Sequence, residues 1–516
     1  MIHRASITLL LLTLVLTEWP PQSQPAPANQ STTSQSLDVK LLGAKADGTT
    51  DDTPTIQQAI SSAPEGSIVT IPPGHYSVSG FIISSKSRLR ITGGGTLHLR
   101  PPATPQGTFA FRLAGICSHI EIDNLSILGD GKVESHQAGI GNMSGETISD
   151  VSFHNLIIQD LVTGISLNAN LSGSYKRAIV KDNSLLNIIG TDSGSGYGIH
   201  IANAEHSIIG NNILTKTQRH AIYHGRGSYN TICFNHISGH REGVSESAFR
   251  CAIVVARDST GINVTGNTIE GSYDGGISIE GTTSGPLTVS DCSITQNVLI
   301  NPKNAVPLIF CGEQTRQENV SIRNLSLCNN TLEVDASTVP AFPLLSVYFG
   351  NSVKISNNSI HIRNVSGEPF SAMLIGHGTY VNSMAFLQDF DISTNLIDIT
   401  GKDTSKCIGI RLDPFISNTS GVRCKVQCNT YANHRGVTGL NYSAVWLQGS
   451  STNPYLEVSD SSSSTRAPAP PKAGYWVVGD LVYNENPAPN GPFAWICTKS
   501  GTPGTWATLL TVGASK

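Results

Sequence analysis

Short runs of alternating apolar and polar residues, each opened by an asparagine, recur along most of this chain. They read Asn124-Leu-Ser-Ile, Asn155-Leu-Ile-Ile, Asn183-Ser-Leu-Leu, Asn212-Ile-Leu, Asn235-His-Ile, Asn267-Thr-Ile and Asn297-Val-Leu-Ile, then continue through Asn330, Asn358, Asn395 and Asn429. The shortest interval is 23 residues (Asn212 to Asn235) and the longest 37 (Asn358 to Asn395). Period-two alternation over so few residues predicts short half-buried strands. A fixed marker at this spacing predicts a solenoid whose unit is one coil of such strands. Asparagine suits a recurring bend because it tolerates the left-handed conformation and can hydrogen-bond to its own copy in the next coil. Leucine-rich repeats have a shorter and stricter consensus, and propeller blades lack the asparagine marker. The pattern therefore predicts an all-β, right-handed parallel β-helix.

Aligning the coils on one strand sorts the residues by face. The rows are Gly164-Ile-Ser-Leu-Asn, Gly198-Ile-His-Ile-Ala-Asn, Ala221-Ile-Tyr-His-Gly-Arg, Ala252-Ile-Val-Val-Ala-Arg and Gly276-Ile-Ser-Ile-Glu-Gly. The column Ile165, Ile199, Ile222, Ile253 and Ile277 is uniformly apolar and faces the core. Alternation then turns Ser166, His200, Tyr223, Val254 and Ser278 outward, followed by Asn168, Ala202, Gly225, Ala256 and Glu280. Adjacent coils lie about 4.8 Å apart, so His200 and Tyr223 stand side by side. Arg226 and Arg257 stack at the strand's end, and the small Ala202, Gly225 and Ala256 clear a floor. The connection Ser238 to Arg250 offers His240, Arg241, Glu242, Glu246 and Arg250 as walls. His224 falls in the inward column with Ile201, Val255 and Ile279, where a satisfied core ring is the plainer reading. His220, at the strand entrance, can reach the groove, and Arg219 beside it is a reserve contact. A register slip of one residue would turn His220 and His224 outward and Tyr223 inward.

The chain before the repeat carries a distinct signature. Asp52-Thr53-Pro54 is a helix start, and Ile56, Ala59 and Ile60 give the helix one apolar face. A strand from Ser67 to Ile71 and a turn at Pro72-Pro73-Gly74 follow. This order (strand, Asp47-Gly-Thr-Thr-Asp-Asp turn, short capping helix, Ile71-Pro-Pro-Gly-His-Tyr) resembles the opening of pectate-lyase-superfamily right-handed parallel β-helix proteins. That superfamily holds polysaccharide lyases, glycoside hydrolases, epimerases and tailspike-like depolymerases, so the resemblance implies the fold more sharply than the reaction.

Composition fits this picture. The 516 residues include 50 glycines, with aromatics at 6% and charged residues at 14%, which is turn chemistry with few long charged side chains. The net charge of -4, with no dominant basic patch, argues against non-specific nucleic-acid binding. Residues 1–35 read as a secretion signal and leader: Met1 to Arg4 carries positive charge, and Ala5 to Leu16 is an apolar run too short to span a bilayer comfortably. An uncleaved N-terminal anchor is the alternative. No later segment reaches spanning length, so the expected location is outside the cytoplasm, extracellular or periplasmic. Residues 36–450 form the expected β-helix, and 451–472 a Ser/Pro-rich linker. Residues 473–516 form a small β module in which Trp476, Trp495 and Trp506 either bind sugar or build the core. The ten cysteines sit mostly in strand-like contexts and suit buried packing. Cys424 and Cys428 could pair, and no second cluster supports a zinc site. The Asn-x-Ser/Thr tripeptides, such as Asn142-Met-Ser, are by-products of the bends.

A Tyr-His-Arg-Arg group suits an anionic polysaccharide. To eliminate across C4–C5 of a uronic acid, an enzyme neutralises the carboxylate, removes the C5 proton and protonates the leaving oxygen. Arg226 and Arg257 can clamp the carboxylate. Tyr223 can serve as base, as acid or as both in a syn elimination, and His200 as the base or as the group that orients Tyr223, with His220 and Arg226 also among the candidate catalytic residues. Arg257, Arg241, Arg250, Glu242, His224 and Arg219 are candidate substrate contacts. The resemblance to β-helix lyases implies the same reaction, yet the Asp-rich calcium cluster of many of them is missing. No metal or other cofactor is therefore expected; calcium stays open but is not indicated. Three rivals stay open. A hydrolase needs two carboxylates roughly 5–9.5 Å apart, for which Asp192, Glu242, Glu246, Asp274 and Glu280 are available. A uronate epimerase begins with the same proton abstraction, although Leu412-Asp413-Pro414-Phe415 lacks the histidine of the alginate epimerases. A binding shaft would use the groove without turnover. The expected oligomer is a monomer or homotrimer.

Overall fold

The computed structural model describes residues 35–511 apart from 102–107, 143–144, 169–172, 191–194, 241–250, 272–274, 281–286, 304–305, 313–319, 349, 377–386, 405, 413–423, 433–442, 448–455, 459–465, 473–477, 479–480, 485, 500 and 502. Within these residues the chain winds as a right-handed parallel β-helix. One long sheet carries the first and second strands of each coil. A fourteen-stranded sheet carries the third, from Asp47–Asp51 to Thr430–Ala432. Every pairing in these two sheets is parallel, as expected when each strand meets its copy one coil later. No helix among the described residues is long and apolar enough to cross a membrane.

The one α-helix among the described residues, Thr53–Ser62, begins where the sequence places it, with Pro54 in its first turn and Ile56, Ala59 and Ile60 buried. Asp52 does not cap it. Its buried carboxylate accepts the backbone N–H groups of Lys45 (2.6 Å) and Ala46 (3.0 Å), holding the preceding turn closed. Asp47 ties down the same turn by accepting from the backbone of Thr49 and Thr50.

The asparagine marker resolves into two different positions. From Asn183 to Asn429 the asparagines form one buried ladder, in which each Nδ2 donates to the Oδ1 of the next at 2.8–3.0 Å. Each Oδ1 also accepts the backbone N–H of the preceding rung, so the amide satisfies the polar groups exposed where the chain turns. These asparagines do not adopt the left-handed conformation; the residue before each one does, as at Asp182, Asn211 and Phe234. Asn124 and Asn155 occupy that corner, with φ of 52° and 53°. In the Asn155 coil the ladder slot holds Leu156, whose N–H donates to Asn183 Oδ1 at 3.0 Å.

One continuous apolar core runs from Val39 to Val426, and a separate small core holds Ala467, Val482, Trp495 and Cys497. The last coil reaches past residue 450, because strand Leu456–Val458 pairs with Cys424–Gln427. Arg466–Ala467, inside the stretch read as linker, pairs with the strand Leu481–Asn484 of the C-terminal sheet. Trp495 is a core residue and Trp506 packs against it; Trp476 lies outside the described residues. Cys428 is a free thiol and so is not joined to Cys424. The buried Cys117, Cys251, Cys292, Cys311 and Cys407 are likewise free, as packing residues would be.

Candidate active site

The strands Thr163–Asn168, Ile199–Glu205, Ile222–Ser228, Ile253–Thr260 and Ile277–Glu280 stack in the aligned register. Ile165, Ile199, Ile222, Ile253 and Ile277 form one buried column. The expected outward neighbours Ser166, His200, Tyr223, Val254 and Ser278 pair in the same way. The outward column is not open along its length. His200 and Tyr223 keep partial exposure, whereas Val254 and Ser278 are fully buried on the outer face.

Four rings gather where the column is open. His200 and Tyr223 meet edge to face with centroids 5.1 Å apart, the separation of adjacent coils. One position before the shared Gly/Ala of the alignment stand Tyr197 and His220, stacked at 5.6 Å and 30°. Tyr197 lies 5.0 Å from His200 and 5.5 Å from Tyr223, and His220 lies 5.5 Å from Tyr223. The result is a block of two tyrosines and two histidines on neighbouring rungs. His220 is buried, and its Nδ1 donates to the Cys251 carbonyl at 2.9 Å, which fixes the neutral ring as the Nδ1–H tautomer. It therefore lines the back of the block from below the surface.

Glycine 225 makes room for Tyr223. A Cβ there would stand 2.8 Å from the tyrosine Cε1, so the ring lies across a position where only hydrogen fits. Arg219 places its Cζ 5.3 Å from the Tyr197 centroid, a cation–π contact at the edge of the block. Arg226 is half-buried, and its Nε is shielded from solvent without a hydrogen-bond partner. Arg257 is exposed at the equivalent bend; both arginines adopt the left-handed conformation, at φ 58° and 60°. Burial, followed by the positive charge of Arg257, the unfavourable cost of a second proton near His224, and the charge of Arg219, holds the His200 imidazole down at about 4.

His224 does not reach the groove. It is fully buried in the inner column, paired with Ile201 and Val255. Asn230 Nδ2 donates to its Nε2 at 2.8 Å, and burial pushes its pKa down to about 4. A side chain in this position cannot touch a polymer outside, which corrects its candidacy as a substrate contact. Arg241, Glu242, Glu246 and Arg250 lie outside the described residues, as do Asp192 and Asp274.

Tyr197 is the residue that the sequence reading missed. Its signal was present, because the position before the aligned Gly/Ala reads Thr163, Tyr197, His220, Cys251. Of the groups that could hold a metal among the described residues, Glu121, Asp123 and His154 converge within 4.8 Å. Each of them already has a charged or hydrogen-bonding partner. Asp123 accepts from Arg90 at 2.8 and 3.1 Å and from Thr92 at 2.7 Å, and Glu121 meets His154 at 3.0 Å. This is a charge network on the second strands, in coils below the ring block.

Fold and face together define a pectate-lyase-like parallel β-helix protein, a fold that acts on polysaccharides. The sequence profile of the rhamnogalacturonase A/epimerase, pectate lyase-like family matches residues 36–298, just over half of the 516 residues, and the chain belongs to that family. Among solved structures it is similar to the mannuronan C-5 epimerase AlgE6 A-module of Azotobacter vinelandii, at 15% identity over 82% of this chain and 98% of that one, TM-score 0.46. It is also similar to the family 28 exopolygalacturonase of Yersinia enterocolitica (14% identity, 77% of this chain and 78% of that one, TM-score 0.42). A mutant tailspike protein of E. coli bacteriophage HK620, solved with a pentasaccharide, shares 13% identity over 80% of each chain at a TM-score of 0.50. At these identities the likeness is one of fold. No curated protein sequence matches the chain.

Proposed function

We propose that this chain is an exported polysaccharide lyase that cleaves an anionic, uronic-acid-containing polysaccharide by β-elimination. The observation that carries this reading is the ring block itself, a neutral imidazole edge-on to a phenol in a positive field. The half-buried Arg226 and the exposed Arg257 receive the uronate carboxylate. Delocalising the carboxylate charge onto them makes the neighbouring C5 proton more acidic. The C5–H bond then breaks to His200 or Tyr223, and its electron pair forms the C4–C5 double bond as the C4–O bond breaks. The departing oxygen takes a proton from Tyr223. An imidazole held down at about 4 keeps its lone pair at neutral pH, as a base must. Tyr197 and His220 wedge the reacting pair in place, and Arg219 adds to the field.

The test is incubation with pectate, alginate, hyaluronan and chondroitin, following the ultraviolet absorbance of the unsaturated uronate at the new chain end. Its appearance with at least one polymer is the expected result. Reducing ends without the chromophore would show hydrolysis, and inverted uronate configuration without chain cleavage would show epimerisation. Either outcome, or binding without product, refutes the lyase assignment.

A further inference from the structure

We infer that the face built by the second strands carries a separate glycan-holding site, formed by Tyr229 and Phe234 and independent of the ring block. These two residues flank the strand Thr231–Cys233 in one coil, and both rings are about three-fifths exposed, at 60% and 61%. Both have left-handed backbones, with φ of 55° and 56°, a conformation that bulky side chains rarely adopt. The bend imposes that conformation in the other coils too, on Arg177, His206, Asp291 and Asn324 at one corner and on Asn211, Gln296, Asn329 and Thr394 at the other. What sets this coil apart is a large exposed aromatic ring at both corners at once.

The coil above is shaped to receive them. A Cβ on Gly261 would stand 2.7 Å from the Tyr229 ring, and one on Gly266 would stand 2.5 Å from the Phe234 ring. Below, His206 stacks on Tyr229 at 5.3 Å and 12°. The rings are therefore supported at a fixed separation, at most roughly 17 Å of extended chain for five residues.

The occupant follows from what lies between and around the rings. The outward columns of the second strands carry no charged residue from Ile208 and Gly210 up to Ser326 and Cys328, and are mostly hydroxyl and amide groups such as Thr231, Asn263 and Thr265. Between the rings stand Thr231 and Cys233, with Ile208 half-exposed below, and the apolar side chains Tyr229, Phe234 and Ile208 fall well short of the roughly 800 Å² per partner that a stable protein interface buries. Aromatic platforms around a neutral hydroxyl-rich strip match a sugar chain, held by ring stacking and hydroxyl hydrogen bonds rather than by its carboxylates. This site rests on the polysaccharide-acting class of the family and not on the lyase reading.

The experiment is affinity electrophoresis of the full chain in native gels cast with pectate, alginate, rhamnogalacturonan, a soluble β-glucan or a mannan. It compares the wild type with Tyr229→Asn/Phe234→Asn, which installs residues the same corners accept elsewhere. We expect retardation by at least one polymer to persist at high salt and to weaken at least roughly tenfold in the double variant. Thermal midpoint and turnover of short oligosaccharides should stay unchanged. Equal retardation of both proteins, no retardation by any polymer, or retardation abolished by salt would overturn the site. So would a change of sedimentation in the double variant, which would make this face a contact between copies. Loss of the lyase reading alone would leave the comparison of retardation intact.

Discussion

His224 makes this fold less stable as pH falls, and replacing it tests the placement of the inner column. The ring is fully buried, accepts from Asn230, and has its proton affinity pushed from an ordinary 6.5 down to about 4 by burial. Unfolding exposes it to water and restores the ordinary value. Between these values the unfolded chain binds a proton that the folded chain refuses, so stability falls as pH drops through that window. The full penalty is about 3 kcal/mol, reached near pH 4, and roughly 2 kcal/mol is already lost at pH 5. Above pH 6.5 the group contributes no pH dependence. In His224→Gln an uncharged side chain of similar length keeps an acceptor for Asn230 but cannot titrate. Urea unfolding of both proteins at pH 7.5 and pH 5, followed by circular dichroism, gives the comparison. The variant starts less stable through imperfect packing, and the gap should narrow by about 2 kcal/mol at pH 5. Parallel loss in the two proteins would refute the buried, proton-refusing ring.

Further expectations concern the ring block and the stack. Tyr223→Phe, which removes only the hydroxyl, should lower the elimination rate at least about a hundredfold without shifting the thermal midpoint; near-normal turnover would sink the proton-transfer role. Gly225→Ala places a carbon 2.8 Å from the Tyr223 ring, so kcat should fall roughly tenfold or more in a protein that still folds by circular dichroism. If His200 is the base, kcat/KM should decline as pH falls through about 4; a midpoint near 6.5 would contradict its environment. Asn267→Ala strips partners from Asn235, Asn297 and the Ile232 carbonyl, and should cost about 3 kcal/mol in urea unfolding.

The apolar column and the adjacency of His200 and Tyr223 were legible because strand alternation and coil stacking are both strictly periodic. The asparagine marker was legible as a repeat but not as a geometry. Corner and ladder slot are consecutive residues, and asparagine serves either, so Asn155 and Asn183 look alike in sequence although only one is a rung. Tyr197 was overlooked for a related reason: it precedes the strand proper, where alternation assigns no face. The burial of Val254 and Ser278 could not be read, because alternation assigns a residue its face but says nothing of what covers that face. Asp52 misled through its type, since a carboxylate before a helix usually caps it and here closes the turn behind it.

The asparagine ladder also governs how the molecule comes apart. Each rung contacts only its neighbours above and below, so opening should begin at the ends and travel inward, like a zipper with two free tabs. The ring block sits beside Asn212 and Asn235, with further rungs on both sides. Fraying from the C-terminal end must therefore cross several intact rungs before it disturbs the spacing of His200 and Tyr223, and fraying from the N-terminal end must still break the Asn183 rung.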